Sequence, residues 1–152
     1  MTSYTLNHAY AAALPVGKLI HFVNQYKDRL LAEHLSPLDI TPAQIKVLMM
    51  IEVEKKHSPA EISKALSIDC GSMTRMIERL VKKQLIVKLP NPNDKRGVLV
   101  TLTPQGIEVL DQCLDVIAKQ VGPALTGNLS SNEVEILLDL LKRMLPEEGY
   151  TV

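Results

Sequence analysis

Hydrophobic residues recur at helical spacing along most of the chain, and the clearest run lies near its middle. There they occupy the i, i+3, i+4, i+7 and i+8 positions, which fall on one stripe of an α-helix: Met73, Met76, Ile77, Leu80 and Val81. The opposite face is polar and partly basic, with Ser72, Arg75, Glu78, Arg79 and Lys82. An amphipathic helix that turns arginines outward suits the major groove of DNA, whose width admits an α-helix.

A long helix is predicted over residues 9–35. Its apolar positions are Leu14, Leu19, Ile20, Val23, Leu30 and Leu31. They exceed what one neighbouring element covers, so part of this helix is expected to face a second subunit. An ordinary core helix is the alternative.

Two further helix starts share one chemistry. In Thr41-Pro42-Ala43-Gln44 and in Ser58-Pro59-Ala60-Glu61, the hydroxyl residue is suited to cap a helix and the proline fits its first position. Gln44 and Glu61 are spaced to complete capping boxes. The helix that begins after Thr41 is predicted to run to about Lys56.

The segment 67–71 is predicted to be the turn of a helix-turn-helix. It separates the short helix after Ser58 from the basic helix, and Asp69 or Ser72 is expected to cap the latter. A corner between two helices of any helical protein has the same pattern, so this feature alone leaves both interpretations open.

A β-hairpin is predicted directly after the basic helix. Residues 85–89 and 98–102 are alternating, β-branched runs, and residues 90–97 between them are rich in turn formers, which predicts a long tip. In this place the hairpin becomes a wing whose Lys95 and Arg96 reach phosphate or the minor groove. We expect Asp94 to orient an arginine through a charge-assisted bond; a plain turn residue is the alternative.

The C-terminal third is again helical. Thr103-Pro104 starts a helix that runs to Val121, where Gly122-Pro123 bends or ends it, and the last helix follows Ser130 and stops at Pro146. We therefore divide the single chain, residues 1–152, into a winged helix-turn-helix over residues 41–103 and dimerisation helices over residues 9–35 and 104–146. The fold class is mainly α with a small β wing.

Charge strengthens the nucleic-acid interpretation. The chain is neutral, with 17 basic and 17 acidic residues, but residues 62–96 carry eight Lys or Arg against three Asp or Glu. Residues 97–152 carry three against eight. A polyanion is therefore expected to meet the middle third.

Other chemistries find little support. Cys70 and Cys113 share no metal-ligand spacing with the four histidines, and no nucleophile and base are arranged as in a known catalytic motif. The methionines at helical spacing are interpreted as core rather than as ligands or cavity walls. We expect no enzyme, metal or cofactor, no membrane segment, and a cytoplasmic protein.

The order of elements resembles the MarR (multiple antibiotic resistance repressor) family over nearly the whole chain. Asn93-Asp94-Lys95-Arg96-Gly97 looks like the family's Asp-x-Arg-Gly signature, within a longer stretch LPNPNDKRGVLV that is also similar. The resemblance implies a homodimeric repressor of a resistance or stress-response operon. Such a repressor binds double-stranded DNA at a pseudo-palindromic operator and is released by small aromatic, phenolic or anionic effectors.

The resemblance also implies site residues. DNA contacts are expected from Gln44, Ser72, Thr74, Arg75, Arg79, Lys95 and Arg96. Effector contacts are expected from Pro59, Ser72, Thr74, Met76, Arg79 and Lys88. Lys88 replaces an arginine common in relatives, which keeps the charge and loses the bidentate fork. The alternative function is a winged-helix module that binds an acidic protein without binding an operator.

Overall fold

The computed structural model describes residues 8–146, with side chains from Pro15 onward. The helices are α1 (His8–Leu35), α2 (Pro42–Glu52), α3 (Pro59–Leu66), α4 (Cys70–Lys82), α5 (Pro104–Val116), α6 (Gly122–Thr126) and α7 (Ser131–Met144). A two-stranded sheet pairs β1 (Ile86–Asn91) with β2 (Asp94–Leu102). The predicted class, mainly α with a small β wing, is confirmed. Residues 1–7 and 147–152 of the predicted unit and the side chain of Leu14 lie outside the described part.

Capping sets the start of α2 as the sequence predicts. The Thr41 hydroxyl accepts the Gln44 backbone N–H at 3.2 Å, and the Thr41 N–H donates to Gln44 Oε1 at 3.1 Å. The predicted end is wrong: α2 stops at Glu52 because Lys55 turns the chain through a left-handed conformation with φ 54°. His57 then pairs its backbone with Val100 of β2.

The turn between α3 and α4 is held by its own backbone. Ser67 has a left-handed φ of 53°, which lets the Ile68 N–H reach the carbonyl of Ser63 at 3.0 Å. Asp69 is the residue that caps α4, since its Oδ1 accepts the Ser72 backbone N–H at 2.9 Å. The predicted helix-turn-helix is confirmed, with Asp69 rather than Ser72 in the capping role.

The wing has a long tip over the residues that the sequence predicts. The strands are antiparallel and pair regularly from Ile86 with Leu102 to Pro90 with Val98, after which the register shifts and Asn91 faces Asp94. The Asn91 side chain accepts the Asn93 N–H at 3.0 Å and the Asp94 side chain accepts the Arg96 N–H at 2.9 Å. Two local side-chain bonds therefore hold the turns of this tip in place.

The core lies where the helices meet the inner face of the wing. It is mainly aliphatic, and Met73 is fully buried in it while Met49, Met50 and Met76 pack against it. This confirms the core interpretation of those methionines. The long helix predicted after Pro104 is interrupted: α5 ends at Val116 and a π-helical turn, Ile117–Val121, leads into α6.

The outer helices leave apolar side chains uncovered in the single chain. On α1 these are Val16, Leu19, Ile20, Phe22, Val23 and Tyr26. On α7 and just after it they are Ile136, Leu137, Leu138, Leu140, Leu141, Met144 and Leu145. None of the helices in residues 8–146 combines the length and the apolarity that crossing a bilayer requires.

Candidate nucleic-acid interface

Helix α4 presents the predicted basic face to solvent. Its buried residues are Met73, Ile77 and Leu80, so the stripe read from the sequence is the one that packs. The residues on the opposite side are exposed: Thr74, Arg75, Glu78, Arg79 and Lys82. Because the apolar face of α4 packs against the core, the arginines on its opposite face point to solvent and are available to a partner.

Arg75 is held in place by its neighbours on the helix. Its Nη2 donates to the hydroxyl of Ser72 at 3.1 Å, and the Ser72 N–H donates to the capping carboxylate of Asp69. The side-chain and backbone bonds from Ser72, with the charge of Arg75, lower the pKa of the exposed Asp69 carboxyl. Ser72 therefore links the capping Asp69 to the guanidinium of Arg75. Because this bond already restricts the Arg75 side chain, less rotamer freedom is lost when Arg75 binds a partner.

Thr74 keeps its hydroxyl within the helix. Oγ1 donates to the carbonyl oxygen of Cys70 at 2.8 Å, while the residue as a whole is exposed. A threonine bonded in this way offers its methyl group outward, and a methyl group is suited to contact the thymine methyl in the major groove.

The wing tip places Lys95 and Arg96 in solvent on β2. Asp94 does not orient an arginine guanidinium: its carboxylate binds the backbone N–H of Arg96, and no ion pair in residues 8–146 includes it. The alternative given for Asp94, a turn residue, is the one observed. The prediction of a charge-assisted bond to an arginine side chain was wrong because the Asp94 carboxylate accepts the nearby backbone N–H of Arg96.

Gly97 belongs to the same turn, and sequence reasoning assigned it no role of its own. A β carbon there would lie 3.1 Å from Oδ2 of Asp94 and 3.3 Å from Nδ2 of Asn91. The Asp-x-Arg-Gly pattern thus has a structural explanation: the aspartate folds back over the glycine, and the arginine between them is carried outward.

Gln44 is a correction among the predicted DNA contacts. It is 4% exposed, and its amide oxygen accepts from Thr41 and from Lys83. Its side chain is therefore occupied inside the protein and is not available to a base. The sequence signal for this was present, because Gln44 is also the third position of the capping box.

The predicted effector residues lie around α4 and β1. Pro59, Ser72 and Met76 are half-buried, whereas Thr74, Arg79 and Lys88 are exposed. Three of the surface cavities within residues 15–146 are lined by other residues. One, of about 620 Å³, lies on α1 beside Phe22, Gln25, Tyr26, Asp28 and Arg29. The other two, of about 350 and 190 Å³, flank Asp39.

The cysteines lie apart in the fold. Cys70 is exposed at the start of α4, and Cys113 is buried in α5, where burial raises the pKa of its thiol. Within residues 8–146, no three His, Cys, Asp or Glu side chains are grouped as metal ligands.

Comparison with known proteins gives one consistent family. The model of the MarR family matches residues 40–98. The multiple antibiotic resistance protein MarR of Escherichia coli K12 is 53% identical over 133 residues, which cover 88% of this chain and 92% of that protein.

Solved structures agree with the sequence comparison. A mutant of E. coli MarR in complex with operator DNA has a TM-score of 0.80 at 50% identity, over 92% of this chain and 100% of that one. Bordetella bronchiseptica BpsR has a TM-score of 0.75 at 29% identity, and the DNA binding of that protein is regulated by 6-hydroxynicotinic acid. The match to BpsR covers 86% of this chain and 98% of that one.

Proposed function

The chain belongs to the MarR family of transcriptional regulators, which are not enzymes, and we propose that it is a homodimeric repressor of a resistance or stress-response operon. Two copies bind a pseudo-palindromic operator in double-stranded DNA, and a small aromatic or phenolic effector releases them. Supporting this, the operator-bound relative has the same fold over nearly the whole chain.

The observation that carries the proposal is the pre-oriented Arg75 on the open face of α4. Arginine is the side chain best suited to donate to the O6 and N7 acceptors of guanine. The hydrogen bond to Ser72 restrains the guanidinium of Arg75 beside the helix. Arg79 on the same face and Lys95 and Arg96 on the wing supply further cations for phosphate. Base reading and backbone contacts thus come from two neighbouring elements.

The exposed apolar faces of α1 and α7 support the dimer. Soluble monomers rarely leave so many large aliphatic and aromatic side chains uncovered on two helices. A two-fold axis through these helices would place two copies of α4 in successive major grooves about 34 Å apart. The spacing between the two α4 helices then becomes the quantity that an effector can change.

For the effector, the residues around α4 have suitable chemistry. Met76 provides an apolar wall, and Arg79 and Lys88 provide cations for a carboxylate or phenolate. The ligand-regulated relative BpsR supports an aromatic acid as the ligand class. Release requires that the effector bind more tightly to a spacing of the α4 helices that does not fit DNA.

The test is selection of bound duplexes from a random DNA pool, followed by titration of the selected operator at several salt concentrations. We expect a two-fold related sequence and an affinity that falls steeply with salt, with a slope near 0.9 per phosphate contacted. Addition of aromatic acids should lower operator affinity. Failure to select any sequence at low salt would contradict operator binding and favour the protein-interaction module.

A further inference from the structure

One lysine side chain ties the end of α4 to the start of α2. Lys83 caps α4, and its Nζ donates to the carbonyl oxygen of Asp39 and to Oε1 of Gln44, the latter at 3.2 Å. The same ammonium group lies 3.0 Å from Oδ2 of Asp39. Asp39 lies just before α2, and Gln44 lies in its first turn.

The bond to Gln44 is the important one. The Asp39 side chain is 91% exposed, so its ion pair with Lys83 is screened by water and contributes little. Gln44 is buried, and its amide oxygen also accepts the Thr41 N–H that begins α2. One buried oxygen thus serves both the first turn of α2 and the last turn of α4.

A second bond holds the same junction from the other side. Past Lys83 the chain turns through Gln84, with φ 60°, into β1. The hydroxyl of Thr103, at the start of α5, donates to the Gln84 carbonyl at 2.7 Å. The junction between α4 and the wing is therefore tied to α2 by Lys83 and to α5 by Thr103.

An open surface cavity lies beside the junction. A cavity of about 350 Å³ lies next to Lys83, between Leu38, Ile40, Leu85 and Val109. At this depression, Lys83 joins the end of α4 to the start of α2 through polar bonds. Leu80 and Leu85 are buried in the core nearby, so these bonds add to the apolar packing that holds the end of α4.

We propose that Lys83 is a positioning residue for operator recognition, which fixes the direction of α4 through Gln44 without contacting DNA. The inference rests on the proposed function. Base reading needs side chains of α4 at hydrogen-bond distance from base edges, so it depends on helix direction. Binding to random DNA depends mainly on charge and does not depend on the direction of α4.

The experiment compares Lys83→Met with Lys82→Met in the chain of residues 1–152. Both substitutions keep an unbranched apolar stem and remove one charge, but Lys82 is exposed and has no partner among the hydrogen bonds and ion pairs described. Affinities for the selected operator and for a random duplex are measured by fluorescence anisotropy over a salt series. Circular dichroism sets a temperature at which all variants are folded.

We expect Lys83→Met to lower the ratio of operator to random affinity about tenfold, and to leave the salt slope of operator binding unchanged. Lys82→Met should move both affinities together. A slope that falls by about 0.9 in Lys83→Met would show that Lys83 contacts phosphate, which overturns the proposal. A lower melting temperature with an unchanged ratio would overturn it too, since the role would then be structural only.

Gln44 provides a second and independent variant. Gln44→Glu keeps an oxygen acceptor for both Lys83 and Thr41, so its affinity ratio should stay at the wild-type value. Gln44→Leu combined with Lys83→Met should cost no more than Lys83→Met alone, whereas fully additive losses would show that the two residues act separately. If the wild-type protein selects no operator, the proposed function fails and this inference fails with it. If an operator is selected and Lys83→Met leaves the affinity ratio unchanged, this inference alone fails.

Discussion

A β carbon at Gly106 would lie 2.0 Å from the carbonyl oxygen of Leu85. Gly106 is in the first turn of α5 and Leu85 is the residue that precedes β1, so the start of α5 rests directly on the junction between α4 and the wing. The Thr103 N–H donates to the same carbonyl at 3.0 Å. The absence of a side chain at position 106 is what allows this approach.

Gly106→Ala should therefore destabilise the protein although alanine favours helices. Displacing a backbone carbonyl in a packed core costs about 1–3 kcal/mol of unfolding free energy. The matched control is Gly17→Ala in α1, where a β carbon would meet nothing within 4 Å. That change should be neutral or stabilising by up to about 1 kcal/mol. Urea denaturation of both variants measures the difference, and equal stability would contradict the close approach.

Arg75→Ala should weaken binding to the selected operator by about 1–3 kcal/mol without lowering the melting temperature. The reason is that, among residues 15–146, the guanidinium bonds only to the hydroxyl of Ser72 on its own helix. The loss should depend on sequence, with relaxed selection at one position of each half-site. Arg143→Ala, on α7 and away from α4, serves as the control. Unchanged operator selectivity would remove Arg75 from base reading.

Arg96→Ala should act through charge rather than through sequence. Because the wing tip is exposed and its turn is held by Asp94 and the Arg96 backbone, truncating the side chain leaves the turn intact. We expect lower affinity for operator and random DNA alike and a salt slope reduced by about 0.9. An unaltered slope would show that Arg96 does not contact phosphate.

Asp69→Asn tests the charge of the α4 cap. The bonds from Ser72 and the charge of Arg75 lower the pKa of the folded Asp69 carboxyl, so its ionised form stabilises the fold. That contribution is fully present above the unfolded pKa of about 4 and is lost as the pH falls through the lower, folded value. The wild-type protein should thus be more stable than Asp69→Asn at neutral pH. The difference should disappear on acidification, and a difference that persists at pH 2 would contradict a charge effect.

Lys88→Arg should strengthen binding of aromatic carboxylates. An arginine can hold a carboxylate through two parallel bonds, and a lysine supplies only a point charge. We expect an increase of about fivefold in affinity by isothermal titration. The same change at the wing tip, Lys95→Arg, should leave effector affinity as it is. No gain at position 88 would argue against an effector bound there.

Much of the fold follows from local signals. The apolar stripe Met73, Ile77 and Leu80 and the caps at Thr41 and Thr103 are explained by residues within one or two helical turns. The errors arose where the chain reverses. The end of α2 depends on a left-handed turn at Lys55, a residue type with no preference for it. At the wing tip, the Asp94 carboxylate accepts the Arg96 backbone N–H and does not orient a guanidinium.

The candidate site divides in the same way. The basic face of α4 and the arginine of the wing can be read from residue spacing, because helix and strand periodicity fix which side chains share a face. The burial of Gln44 and its bond to Lys83 could not be predicted from the sequence. The two residues are 39 positions apart, and neither residue type indicates which partner it binds. No periodic pattern records a contact at that distance along the chain.

The sequence by itself determined the helices, the wing, the basic surface and the family, because these depend on short-range spacing and on motifs. Only the tertiary structure decided that Gln44 is internal, that Lys83 joins α2 to α4, and that α5 rests on Leu85 through Gly106. Those relationships bring together residues from distant parts of the chain. Their geometry is set when the aliphatic core packs, and that step is a property of the whole molecule rather than of any segment.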